Sequence, residues 1–147
     1  MAFIKNVLLT VHSYIENLDD LGNEDGYPER SDSEYTAKMQ AEADRIILTY
    51  SETTEAGSVL WRVECAGSVV TVTRSGASNS VMRFEAGKPY IGIYEVPPFK
   101  FDMKINTSGI KNRLTIFGGT VDILYTMSIG GADKRCRMKM TVSEVQK

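Results

Sequence analysis

From about Arg45 to Val145 the chain alternates apolar and polar residues in segments of six to ten, each closed by a cluster of turn formers. A period of two is that of a strand with one buried face. The alternation yields a series of inward rows: Ile46, Leu48 and Tyr50; Val59, Trp61, Val63 and Cys65; Val70 and Val72. Later rows are Phe99, Phe101, Met103 and Ile105; Val121, Ile123, Tyr125, Met127 and Ile129; and Cys136, Met138, Met140 and Val142. Val7, Leu9, Val11 and Ile15 share a face of a first strand, and Tyr35–Glu42 reads as a second despite its helix-forming residues. Turns are expected at Thr54–Gly57, Ala66–Ser68, Ser75–Asn79, Ala86–Pro89, Pro97-Pro98, Thr107–Gly109, Gly118-Gly119 and Gly130–Asp133. Tight hairpins between about 8–10 strands predict an all-β fold, a single antiparallel up-and-down barrel rather than a Greek-key sandwich. At 147 residues the chain (1–147) makes one domain.

Charge changes the picture only when it is divided along the chain. Between residues 16 and 34 lie Glu16, Asp19, Asp20, Glu24, Asp25, Glu29, Asp32 and Glu34, opposed by Arg30 alone. That stretch carries −7, and the chain's net −2 leaves +5 on the rest. With Gly22, Gly26 and Pro28 and few apolar residues, it reads as a long mobile acidic loop between the first two strands. Its simplest role is a solvated surface loop, and its sharper one a lid over a moderately basic barrel mouth. Arg135, Arg137 and Lys139 form an outward basic row on the last strand, the usual character of a solvated edge, where charge also deters sheet-to-sheet aggregation.

Composition and motifs exclude more than they assign. No apolar run approaches the roughly 20 residues of a membrane helix, and the opening segment reads as a strand rather than a signal peptide. Cys65 and Cys136 fit neither a disulfide framework nor a metal spacing, so a cytoplasmic protein with reduced thiols is expected. His12, the single histidine, lies on the polar phase of its strand and has no second ligand cluster beside it. Neither a nucleophile elbow nor a phosphate loop occurs, and no cofactor, metal, nucleic acid or membrane is called for.

Two charged residues fall in phase with inward apolar rows: Glu52 follows Leu48 and Tyr50, and Arg74 follows Val70 and Val72. Charged groups are almost never buried unless paired. Either the two face each other inside the barrel, as an ion bridge or as an anion-holding Arg positioned by Glu, or each occupies a wet strand end. Trp61, Phe101, Tyr125 and Met138 are core residues on the simplest reading, but methionine and aromatic rings also line apolar binding sites. Glu52, Arg74, Trp61, Tyr125, Phe101 and Met138 are therefore the candidate ligand-binding residues. Barrels of this size are either just filled by side chains or admit one small ligand.

Several short stretches carry a resemblance. They are Tyr50-Ser51-Glu52 before a turn ending in Gly57, and Thr73-Arg74-Ser75-Gly76-Ala77 followed by Arg83-Phe84 and Gly87. Others are Phe101-Asp102-Met103-Lys104-Ile105 with Thr107 and Ile110, and Gly119-Thr120-Val121-Asp122-Ile123-Leu124-Tyr125. Across roughly residues 35 to 145 the chain resembles the YwiB-like family of uncharacterised bacterial proteins, which implies a calycin (lipocalin-like) β-barrel. It carries over no activity and no catalytic residue.

Three functional readings follow, in order of preference. The first is a non-enzymatic barrel binding a small amphipathic or anionic ligand at its mouth. The second is a filled barrel serving as a structural or protein-interaction module. The third is an enzyme without a recognisable catalytic constellation.

Overall fold

The computed structural model describes residues 3–19, 21, 23–24 and 26–145. Among these it forms ten strands and no helix. The strands are β1 (Phe3–Leu18), β2 (Glu29–Ala41), β3 (Ile46–Thr54), β4 (Gly57–Ala66), β5 (Val69–Gly76), β6 (Asn79–Glu85), β7 (Tyr90–Val96), β8 (Phe99–Asn112), β9 (Gly119–Ile129) and β10 (Ala132–Glu144). Every strand pairs antiparallel with its neighbours in the chain, and β10 returns to β1, closing an up-and-down barrel. The inward rows read from the alternation line its interior, except that Phe99 lies exposed beside the Pro97-Pro98 turn. Closure removes free sheet edges.

Hairpin chemistry sets the strand ends. Gly130 and Gly131 both hold positive φ, 55° and 86°, as the two-residue turn whose twist matches flanking strands requires. At the β8–β9 connection Gly119 has φ 134°, and a Cβ there would lie 2.2 Å from the carbonyl oxygen of Arg113.

The two ends of the barrel differ. Where β2–β3, β4–β5, β6–β7 and β8–β9 connect, the interior is filled by Ala41, Cys65, Val70, Phe84, Ile105, Val121 and Val142, all buried. Phe84 reaches across the interior from β6 to meet Tyr125 of β9 edge-on, with ring centroids 4.7 Å apart. The opposite end is lined by larger, more polar side chains and is not filled. Strand pairing is thin in two places: β2 pairs β3 only over Lys38–Ala41, and β6 pairs β7 only through Asn79–Glu95 and Ser80–Tyr94.

Three expectations need correction. The acidic stretch 16–34 is not one long loop, because β1 continues to Leu18 and β2 starts at Glu29. Its charges find cross-strand partners that composition does not reveal: Glu16 pairs with Arg135, Asp32 with His12, and Arg30 lies over the Tyr14 ring at 5.2 Å. Only residues 19–28 connect the strands; Leu21 there is exposed, and Asp20, Gly22 and Asp25 lie outside the described residues, so the expected mobility falls partly outside them too. Second, Thr107-Ser108-Gly109 is a bulge within β8, not a turn, since the register steps from Thr107–Tyr125 to Gly109–Leu124 and the strand runs on to Asn112. Third, the Ser75–Asn79 turn is shorter than expected: β5 runs to Gly76 and β6 begins at Asn79, which brings Ser80 into the inner row.

Candidate functional site

At the unfilled end lies a cavity of roughly 700 Å³, within the range of small-molecule sites. It reaches solvent beside Phe101, Ser31, Gly130 and Ala132, all exposed, and its floor is formed by Val63, Val72, Met103 and Met140, all buried. All six residues singled out from the sequence, Glu52, Arg74, Trp61, Tyr125, Phe101 and Met138, line it. The alternating phase of each strand places them there.

The two sides of the cavity differ chemically. The side built by β8, β9, β10 and β1 is mainly methionine, isoleucine and valine, with the Ser13 and Tyr125 hydroxyls among them and Lys134 as its one charged group. The side built by β2 to β7 carries most of the polar groups, Ser31, Ser33, Tyr35, Tyr50, Glu52, Trp61, Arg74, Ser80 and Tyr94, along with the apolar Val63, Val72 and Met82.

Register organises the polar side. Tyr50 lies opposite Trp61, Trp61 opposite Arg74, Arg74 opposite Ser80, Ser80 opposite Tyr94, and Tyr94 opposite Phe101. These six therefore form one continuous inward row across β3 to β8. The Tyr50 and Trp61 rings stack at 6.0 Å with 9° between planes, and Tyr35 tilts onto Tyr50 at 4.5 Å. The Arg74 guanidinium carbon then sits 4.1 Å from the centre of the Trp61 ring and 5.3 Å from that of Tyr94. Arg74 Nη1 donates to the Tyr94 hydroxyl oxygen at 2.8 Å.

Glu52 and Arg74 do not form an ion bridge. The Tyr35 hydroxyl donates to Glu52 Oε2 at 2.6 Å, and among the described residues no carboxylate lies within 4.0 Å of Arg74. Both charges act on Tyr50, which lies on the same side of the cavity. Burial raises the Tyr50 hydroxyl well above the ordinary tyrosine range, Tyr35 and Glu52 add to the rise, and Arg74 opposes it. The Tyr35 hydroxyl is raised as well, first by burial and then by its bond to Glu52.

Three side-chain atoms on the row are buried without a protein hydrogen-bond partner: Trp61 Nε1, Arg74 Nε and Ser80 Oγ. A buried polar group left unsatisfied costs about 1–3 kcal/mol, so three in adjacent positions are a concentrated deficit. The fourth such atom, Thr107 Oγ1, belongs to the β8 bulge. His12 is on the outer face with its Nδ1 toward Asp32, away from this cavity.

Sequence reading did not single out Tyr35, Tyr50, Ser80 or Tyr94 as site residues. Tyr50 was already in an inward row, and its place opposite Trp61 was the available signal. Ser80 and Tyr94 could be found only through the β5–β6–β7 register, which depends on where β6 starts.

Comparison with known proteins places the chain. A family model described as a domain of unknown function, DUF1934, matches residues 15–140. The chain belongs to the DUF1934 family. It is 30% identical over 124 residues to the uncharacterised β-barrel protein YwiB of Bacillus subtilis strain 168, which covers 84% of this chain and 82% of that protein. The crystal structure of the B. subtilis YwiB protein superposes with a TM-score of 0.84 at 25% identity, covering 97% of this chain and 94% of the other. The barrel fold is thus shared with a relative of known structure.

Proposed function

We propose that this DUF1934 protein is a non-enzymatic, lipocalin-like binding barrel for a small amphipathic molecule with an anionic head. The observation that carries the reading is the cavity itself: roughly 700 Å³, with methionine and isoleucine on one side and on the other an inward arginine that meets no carboxylate among the described residues. A binding site for an amphipathic molecule needs that division between apolar body and polar head. The catalytic alternative finds less support, because Glu52 is engaged by Tyr35 and the single histidine is on the outside. Cys65 and Cys136 are free and buried, in keeping with residence in a reducing cytoplasm. The interaction-module alternative rests on Ile91 and Ile93, exposed on the outer face of β7 where its pairing with β6 is thin.

Trp61 is the only tryptophan and lines the cavity, so its emission reports on the site alone. A ten-carbon amphiphile such as decanoate should change Trp61 fluorescence saturably and raise the melting temperature, since a ligand of the native state adds RT ln(1 + [L]/Kd) to stability. Replacing Met138 with Phe, which narrows the cavity from its apolar side and keeps Trp61 as the only tryptophan, should weaken both signals while the barrel stays folded. Both signals unchanged in that variant, or no shift in the wild type at millimolar ligand, would exclude cavity binding.

A further inference from the structure

We propose that the head bound here is a single carboxylate, seated on Trp61, Arg74 and Ser80, with the ligand's apolar body turned toward Met127, Met138 and Met140. The proposal rests on the binding reading above and deepens it to a chemical class and an orientation.

The donor inventory points to an acceptor. An indole N–H can only donate, an arginine Nε–H can only donate, and a serine hydroxyl can donate. These three groups are cross-strand neighbours on β4, β5 and β6, and none has a protein partner. One ligand group rich in oxygen lone pairs would satisfy all three. Because the atoms are covered by their neighbours, seating the head takes a side-chain adjustment along this row.

Geometry favours a planar head. Tyr94 occupies Arg74 Nη1, and the guanidinium lies against the Trp61 face, so its orientation is held by both. The edge left over presents Nε and Nη2, the parallel pair of N–H groups that matches the two oxygens of a carboxylate. Charge favours a monoanion. The cationic and carboxylate side chains lining the cavity are Arg74, Lys134 and Glu52, which sum to +1. A monoanion balances that charge, whereas a phosphate dianion would leave excess negative charge beside Glu52 in a partly desolvated site.

The test is a Trp61 fluorescence titration of the full chain at neutral pH with decanoate, 1-decanol and decyl phosphate, which share one tail. Decanoate should bind about tenfold more tightly than decanol, and decyl phosphate no more tightly than decanoate. Arg74→Met should erase the preference for the acid while decanol still binds, and Ser80→Ala should weaken decanoate several-fold without affecting decanol. Equal binding of acid and alcohol by the wild type overturns the carboxylate seat but leaves the apolar cavity intact as a binding site. Tighter binding of decyl phosphate, or an acid preference that survives Arg74→Met, overturns it too. No binding of any of the three refutes the binding reading itself. Should Arg74→Met not fold, the wild-type series with Ser80→Ala still decides.

Discussion

Phe84→Ala should lower the stability of the barrel by about 3–5 kcal/mol, the cost of removing a buried phenyl ring and leaving a cavity behind. For a domain of this length that corresponds to a drop in melting temperature of about 10 °C or more. Phe84 has no exposed surface and spans the interior to the Tyr125 ring, which is itself part of the cavity lining. Its strand is supported unevenly: β5 pairs it along Val69–Arg74, but β7 pairs it at only two positions near its start. The seam between β6 and β7 therefore has little besides side-chain packing to hold it closed if the ring is lost. The same substitution joins the filled end to the open one, so a longer-tailed amphiphile should gain affinity relative to decanoate. Chemical denaturation gives the first quantity and the fluorescence titration the second. A loss below 1 kcal/mol would mean that the interior collapses onto the deleted ring and that the floor of the cavity is not rigid.

Much of this architecture was legible because hairpin-connected strands write their inside and outside faces directly into alternate residues. That is why every candidate ligand-binding residue lies on the cavity, and why Glu52 and Arg74 could be recognised as charges on inward rows. Alternation says which way a side chain points but not which side chain is its neighbour. Glu52 lies on β3 and Arg74 on β5, with β4 between them, so their backbones are about 10 Å apart from strand spacing alone. They are also offset along the strands, Glu52 opposite Val59 and Arg74 opposite Trp61. The indole fills the interval that a salt bridge would have to cross. Each charge instead uses a tyrosine, Tyr35 for Glu52 and Tyr94 for Arg74.

The acidic segment failed as a loop for a related reason. A run of carboxylates looks solvated when read along the chain, but antiparallel pairing brings the basic residues of β10 beside those on β1, as Glu16 with Arg135 shows. Likewise Asp122 on β9 accepts from Arg137, which holds its carboxyl below the usual range. The outward basic row is thus neutralised in part by neighbours distant in sequence, leaving less positive surface than the division of charge suggests. The lid reading loses much of its motive, because a substantial part of the negative charge is committed to the barrel wall.

The barrel should lose stability steeply as pH rises from about 9 to 12. Burial pushes the Cys65 thiol from its ordinary 9.0 up to about 12, and burial pushes Cys136 up to about 11 against an opposing contribution from Tyr125. Burial also raises the hydroxyls of Tyr50 and Tyr125, and that of Tyr35 with help from Glu52. In each case the folded state keeps the proton to higher pH than the unfolded chain does. Across that window the unfolded state binds fewer protons, so stability is undiminished below about pH 9 and falls as pH climbs toward the folded-state values. A pKa unit is worth about 1.4 kcal/mol, so the buried Cys65 thiol alone removes a few kcal/mol of a domain's stability of about 5–15 kcal/mol, and Cys136 and the buried Tyr50 and Tyr125 hydroxyls add to the loss. Unfolding should therefore be cooperative in alkali, with tyrosinate absorbance from the buried rings appearing together with loss of the β-sheet circular dichroism. Cys65→Val, which keeps a small apolar group in the filled end, should move that midpoint to higher pH. Gradual ionisation of all seven tyrosines with the circular dichroism unchanged would show that water already reaches the aromatic stack, and with it the side of the cavity where the carboxylate is proposed to sit.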